Sequence, residues 1–251
     1  MGQEVVDKSK VFYSILHNDS QIKFEVTDDV LFLGNFIGSH PQVLRGIYKK
    51  YRKLELEYHH KPKIGAPIDV FFDYGEDGGD RTVTFKRQKV TLRLSEDDFL
   101  IFMAKIDAVY SDILPIGTVV ELDEEMMPPV IKEQIKNSGI AELVVITGRK
   151  APLQKPFDSY IIDYYTYLWP IGQLPVSAPI TVSNMMISKI VHLGWQHPLD
   201  ETFSMDVLRA TQLAKEQKST AFMPMDEGLE YFKMRAADSY MSDIMGQEEE
   251  S

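Results

Sequence analysis

The stretch that decides the fold is Leu114-Pro115-Ile116-Gly117-Thr118-Val119-Val120, continued by Val144-Val145-Ile146-Thr147-Gly148-Arg149 and closed by Ile190-Val191-His192-Leu193-Gly194-Trp195. Each is a short apolar or β-branched run punctuated by Gly or Pro, the pattern of strands separated by turns. Pro115 and Gly117 open the first run, and Gly148-Arg149 closes the second. None of these residues is catalytic in type. Between the first two runs, the segment Met126 to Gly139 predicts a helix opened by proline and closed by Asn and Gly. The aromatic segment from Tyr160 to Gly172 predicts a further strand. On it Tyr165 and Tyr167 share one face, and Tyr160, Tyr164 and Leu168 share the other.

Upstream, Ile22 to Leu33 reads as a strand or strand pair. From Pro41 to Leu54, the residues Leu44, Ile47, Tyr48, Tyr51 and Leu54 recur at helical spacing and leave Arg45, Lys49, Arg52 and Lys53 on the other faces. This predicts an amphipathic helix with a basic outer side, either solvated or turned to an acidic partner. Residues 67–74 and 81–85 flank a Gly-rich turn and form a hairpin. Lys89 to Leu94 alternates with period two, and Ser95 caps a helix whose acidic first turn suits the helix dipole. Phe99, Phe102, Met103, Ile106, Val109 and Tyr110 are its buried stripe. The helix runs into Leu114 with almost no linker, so the two regions can share a core.

From Pro198 onward the chain reads as helical. Leu229, Phe232, Ala236, Tyr240 and Ile244 keep one face of a terminal helix ahead of an acidic tail. Six of the 12 methionines (Met205, Met223, Met225, Met234, Met241 and Met245) fall here, and flexible thioethers suit surfaces that fit irregular partners as well as cores. The expected organisation is α+β. Residues 1–110 form a sheet-and-helix region, 111–198 a small twisted β-sheet or half-open barrel, and 199–251 a helical extension.

A formal charge of −11 argues against general binding to nucleic acid, which needs a concentrated positive field. The absence of Cys excludes disulfides, thiolate metal sites and cysteine nucleophiles. The first residues lack the basic start and apolar core of a signal peptide, Val6 breaks the myristoylation pattern after Gly2, and no apolar run approaches the ~20 residues that span a bilayer. A cytoplasmic location without membrane insertion is therefore expected.

The groups that could carry chemistry fail specific requirements. Asp73, Glu76, Asp77 and Asp80 crowd the hairpin turn without the calcium-loop order. His59 and His60 are adjacent and diverge on any regular element, while His192 and His197 have no thiolate or carboxylate companion in sequence. No nucleophile elbow, phosphate loop or dinucleotide fingerprint is present. The reading is of a protein with no cofactor, no metal and no catalytic residue, with an unrecognised hydrolase kept as the opposing class.

The order LPIG-T-VV, V-x-I-x-GR, an aromatic P-x-G segment and a closing G-W resembles a bacterial family of unknown biochemical function, over roughly residues 113 to 197. Genes of that family lie in type VII (Ess/ESX) secretion loci of Gram-positive bacteria, beside toxins with an LXG secretion domain. The inserted helix departs from the family's hairpin. The resemblance implies a cytosolic accessory, chaperone or targeting factor that binds an LXG-type toxin or its secretion domain and presents it to the secretion ATPase. An immunity protein for the toxic domain is the alternative. The expected partner-binding residues are Tyr165, Tyr167, Trp169, Leu229, Phe232, Met234, Tyr240 and Met241.

Overall fold

The computed structural model describes residues 7–75, 79–127, 129–138, 142–175 and 178–235. Three helices begin the chain: α1 (Lys8–Asn18), α2 (Asp28–Gly38) and α3 (Pro41–Arg52). The expected strand over 22–33 is not formed. Ile22, Phe24 and Val26 do alternate, and pack against the first core as an extended but unpaired segment. Thr27 then caps α2 by accepting from Val30 N, with Asp28 and Asp29 in the first turn, so the local capping signal outweighs the period of two. In α3 the stripe Leu44, Ile47, Tyr48 and Tyr51 is buried as read. Leu54 lies beyond the helix end with φ of 54° and is exposed.

The first sheet is the antiparallel meander β1 (Glu57–His60), β2 (Ile68–Asp73), β3 (Thr82–Arg87) and β4 (Val90–Ser95). It delivers the chain to α4 (Glu96–Tyr110), whose cap is Ser95 accepting from Asp98 N at 3.2 Å. The six stripe residues of α4 are all buried, but so are Leu100, Ala104, Lys105, Asp107 and Ala108. Beyond its partly exposed first turn the helix is thus buried on nearly every side, with Ile101 half-buried. Its core also takes in Met185 and Phe222 from the downstream regions.

The second sheet contains β5 (Val119–Leu122), β6 (Leu143–Pro152), β7 (Tyr160–Leu168), β8 (Ile180–Val182), β9 (Ile187–His192) and the two-residue β10 (Lys218–Ser219). Its order is β10-β7-β6-β5-β9, with β8 also on β7, so it is an open sheet among the described residues and not a barrel. The inserted helix forms as α5 (Pro129–Ser138), and its Ile135 packs into the second core beside Val120, Val144, Ile146 and Tyr164. Gly148 does not end a strand. It sits within β6 at a bulge opposite Tyr165.

The region after 198 is helical with one addition. Helix α6 (Pro198–Thr202) continues through a π-helical segment, Phe203–Arg209, into α7 (Ala210–Ala214). β10 then pairs parallel with the start of β7, and residues 225–235 form the terminal helix. That helix rests on a small cluster of Phe157, Tyr160 and Met223 through Tyr231. No helix among the described residues is long and apolar enough to cross a membrane.

Candidate protein-binding surface

The motifs that gave the β-region its signature meet in space and hold the sheet together. Gly117 turns with φ of 83°, and Thr118, fully buried, donates from Oγ1 to Pro115 O at 2.7 Å. Gly194 N donates to that same Oγ1 at 3.0 Å, and a Cβ on Gly194 would lie 2.8 Å from Thr118 N. The first and last motifs are therefore one packing contact, in which only glycine lets the two backbones approach. They are structural, and a partner surface has to be sought elsewhere.

The buried charges are structural as well. Asp163 accepts from Lys150 Nζ at 2.8 Å and from Asn184 N at 3.2 Å, and also from the Ser219 hydroxyl. Asn184 passes the network to Asp107 of α4 through Nδ2 at 3.0 Å, and Ser111 donates to the same Asp107 oxygen at 2.6 Å. Burial, and then the nearby Asp163 charge, push the Asp107 carboxyl up to about 6, against the opposing pull of Lys150 and the two hydrogen bonds. Both carboxylates are sealed from solvent, so no substrate reaches them. They tie the second sheet to α4.

The basic side of α3 finds its acidic partner within the chain. Lys49 Nζ meets Asp123 at 2.8 Å and Glu125 at 2.7 Å, Lys53 reaches Glu125 at 3.3 Å, and Arg45 donates to Ile187 O. Burial lowers the Lys49 pKa, but the hydrogen bonds to Asp123 and Glu125 outweigh it and leave it raised. The same lysines hold Glu125 below its ordinary value. This clamp borders a cleft of about 240 Å³ lined by Gln42, Arg45, Lys49, Met126 and Met185.

The candidate metal ligands are dispersed. Asp73 accepts from Gly75 N at 3.1 Å, Asp80 is exposed, and Glu76 and Asp77 lie outside the described residues. His59 contacts Asp69 across the β1–β2 pair, His60 stacks on Tyr58, and His192 lies exposed on β9. His197 caps α6, accepting from Leu199 N at 3.1 Å. Among the described residues no group of three or more His, Asp or Glu is placed to hold a metal.

What remains is exposed apolar surface. On the terminal helix, Met225, Leu229 and Phe232 stand at helical spacing and face solvent, Phe232 at 64 % exposure, while Tyr231 seats the helix against Phe157. Met234 is exposed but lies off that line, and Tyr240 and Met241 lie outside the described residues. The aromatic strand divides as its period requires. Tyr160 and Tyr164 are buried, whereas Tyr165 and Tyr167 are half-buried on the opposite face, with the Tyr165 ring over Gly148. Trp169 is exposed just past β7, together with Ile171. The sequence reading passed over Trp195, Leu199, Phe203 and Val207, all exposed. The four-residue spacing of the last three was visible, but nothing in it says which side of the helix is buried.

Comparison of the chain with family models, with curated proteins and with solved structures gives no match.

Proposed function

We propose that this chain is a cytosolic accessory protein of a type VII secretion system, acting by binding rather than by turnover, and that it holds the helical secretion domain of an LXG-type toxin before export. The observation that carries the reading is the terminal helix, anchored through Tyr231 yet presenting Met225, Leu229 and Phe232 to solvent. A row of large apolar side chains at helical spacing fits against an amphipathic helix of a partner, where such side chains dominate the binding free energy. The motif resemblance over residues 113–197 supplies the toxin as partner, and the acidic balance fits a protein whose partners are not nucleic acids. Tyr165, Tyr167 and Trp169 are a second place where a partner could rest.

Co-expression with truncated toxins tests this. The protein should co-purify with the N-terminal secretion domain, and Leu229→Glu with Phe232→Glu should abolish co-purification while the protein stays folded. Capture of the C-terminal toxic domain instead would replace this reading with an immunity role.

A further inference from the structure

The helix from Pro198 to Ala214 is amphipathic in the inverted sense. Its inner side is rich in polar groups: Ser204, Arg209 and Gln212 are buried and Asp200 is paired, beside half-buried Met205, Leu208 and Leu213, the last packed against the first core. Arg149 holds Asp200 at 2.7 Å and Ser204 at 3.0 Å, and Arg209 donates to the carbonyls of Val109 and Ser111 at the end of α4. The helix is thus fastened to the body by directed polar contacts. Its outer side is apolar, with Leu199 at 71 % exposure and Phe203 and Val207 at 45 % each.

The π segment keeps that outer row straight. On an α-helix, residues four apart drift about 40° around the axis at each step. The wider π turn of Phe203–Arg209 takes up that drift, so Leu199, Phe203 and Val207 stay aligned. On one flank of that row lie Thr202, Asp206 and Ala210, themselves four apart and all exposed. This second row is small at both ends and charged once in the middle, which admits a close helix and favours a cation near Asp206.

We infer that this face is a docking surface, separate from the terminal helix, for an amphipathic helix of another protein that carries Lys or Arg beside its apolar row. The chemistry of the rows selects among occupants. A second copy of this chain, packed antiparallel about a two-fold axis near the middle of the row, would bring Asp206 towards Asp206 between two bodies of charge −11. An anionic membrane meets the same repulsion from Asp206. A helix with basic flanks meets attraction on both counts.

The test uses two labelled peptides of about 18 residues, five helical turns, with the same leucine row flanked by Lys in one and by Glu in the other. Anisotropy titrations with the full chain should show the Lys-flanked peptide bound and the Glu-flanked peptide bound at least about tenfold more weakly. Phe203→Ser with Val207→Ser should weaken the Lys-flanked peptide about tenfold or more, while Leu229→Glu should leave its affinity unchanged. Asp206→Lys, an exposed change that spares the fold, should reverse the preference. Equal binding of both peptides, or binding indifferent to positions 203, 206 and 207, overturns the inference. Two further results overturn it by naming another occupant. One is binding to phosphatidylglycerol vesicles that the Phe203→Ser, Val207→Ser protein loses; the other is a dimer in sedimentation that the same variant abolishes. Toxin capture through Leu229 and Phe232 can succeed or fail independently of any of these outcomes.

Discussion

Helix α4 and the helix from Pro198 to Ala214 are built on opposite plans, and they touch. Helix α4 beyond its first turn is buried on nearly every side, mostly among apolar neighbours, and its buried charges are each matched, Lys105 by Asp19 and Asp107 through Asn184 and Ser111. The 198–214 helix turns polar groups inward beside Leu213, with Arg209 covering two carbonyls at the end of α4, and leaves Leu199, Phe203 and Val207 on its outer side. Apolar burial and partner-matched polar groups therefore do different work here. The first makes the core; the second fastens a helix without consuming its apolar face, which stays free for another protein.

The largest effect that would sharpen this contrast is at Lys105. Its side chain and that of Asp19 are each 2 % exposed, and the two meet as an ion pair. Lys105 also donates to Glu216 O at 3.3 Å. Lys105→Ala leaves a buried carboxylate without its cation, a change that destabilises by about 3–5 kcal/mol. Chemical denaturation should show that loss. A loss under 1 kcal/mol would mean that Asp19 is reached by water and that α4 is less enclosed than described.

Next come the glycines of the β-motifs. Gly194→Val forces apart the backbones at Ile116 and Thr118, and Gly117→Val imposes a left-handed φ on a β-branched residue. Each should destabilise by roughly 1–3 kcal/mol. Gly148→Val should be milder, since φ there is not left-handed and the added Cβ meets the Tyr165 side chain at 3.2 and 3.3 Å, a tight contact that gives more readily than backbone. Thermal melts that rank Gly148 as the most sensitive would reverse the assignment of the turn.

These glycines also mark how far the sequence could be read. The strands near 119 and 144, the 67–85 hairpin and α4 with its Ser95 cap were all legible, because period and capping are local signals. The strand expected over 22–33 failed because the alternation Ile22, Phe24, Val26 is genuine but the chain finds no sheet to join before Thr27 caps α2. That Tyr164 and Tyr165 lie on opposite faces followed from period two alone; that Tyr164 is the buried one did not. The inverted helix was not legible. Its inward face is set by Arg149, which lies about fifty residues upstream, and by the α4 carbonyls that Arg209 covers, and no local pattern encodes either.

Asp107 offers a pH-dependent test of the enclosed helix. The folded protein keeps its carboxyl protonated up to about pH 6, whereas the unfolded chain releases the proton near 3.8. Between those values the folded state holds more protons, so this group's contribution to stability falls as pH rises from about 4 to about 6. Asp107→Asn, which still accepts from Ser111 and Asn184, should therefore gain relative to the unaltered protein across that window and hold a constant advantage above it. Parallel melts from pH 4 to 8 with an unchanging difference would show that Asp107 is not buried as an isolated acid.

The smallest expected effect on stability is at the outward rows, and its smallness is the point. Phe203→Ser, or Leu229→Glu with Phe232→Glu, removes side chains that are each about half exposed, so folding should change by no more than about 1 kcal/mol. At a core position such as Phe99 or Phe102, both fully buried, truncation to Ala costs about 3–5 kcal/mol. A contiguous row of large apolar side chains dispensable for folding is the kind of surface that marks an interaction site. If Phe203→Ser instead unfolds the protein in a denaturant titration, the 198–214 helix is held by its apolar side after all. The polar fastening by Arg149 and Arg209 would then be secondary, and the contrast with α4 would collapse.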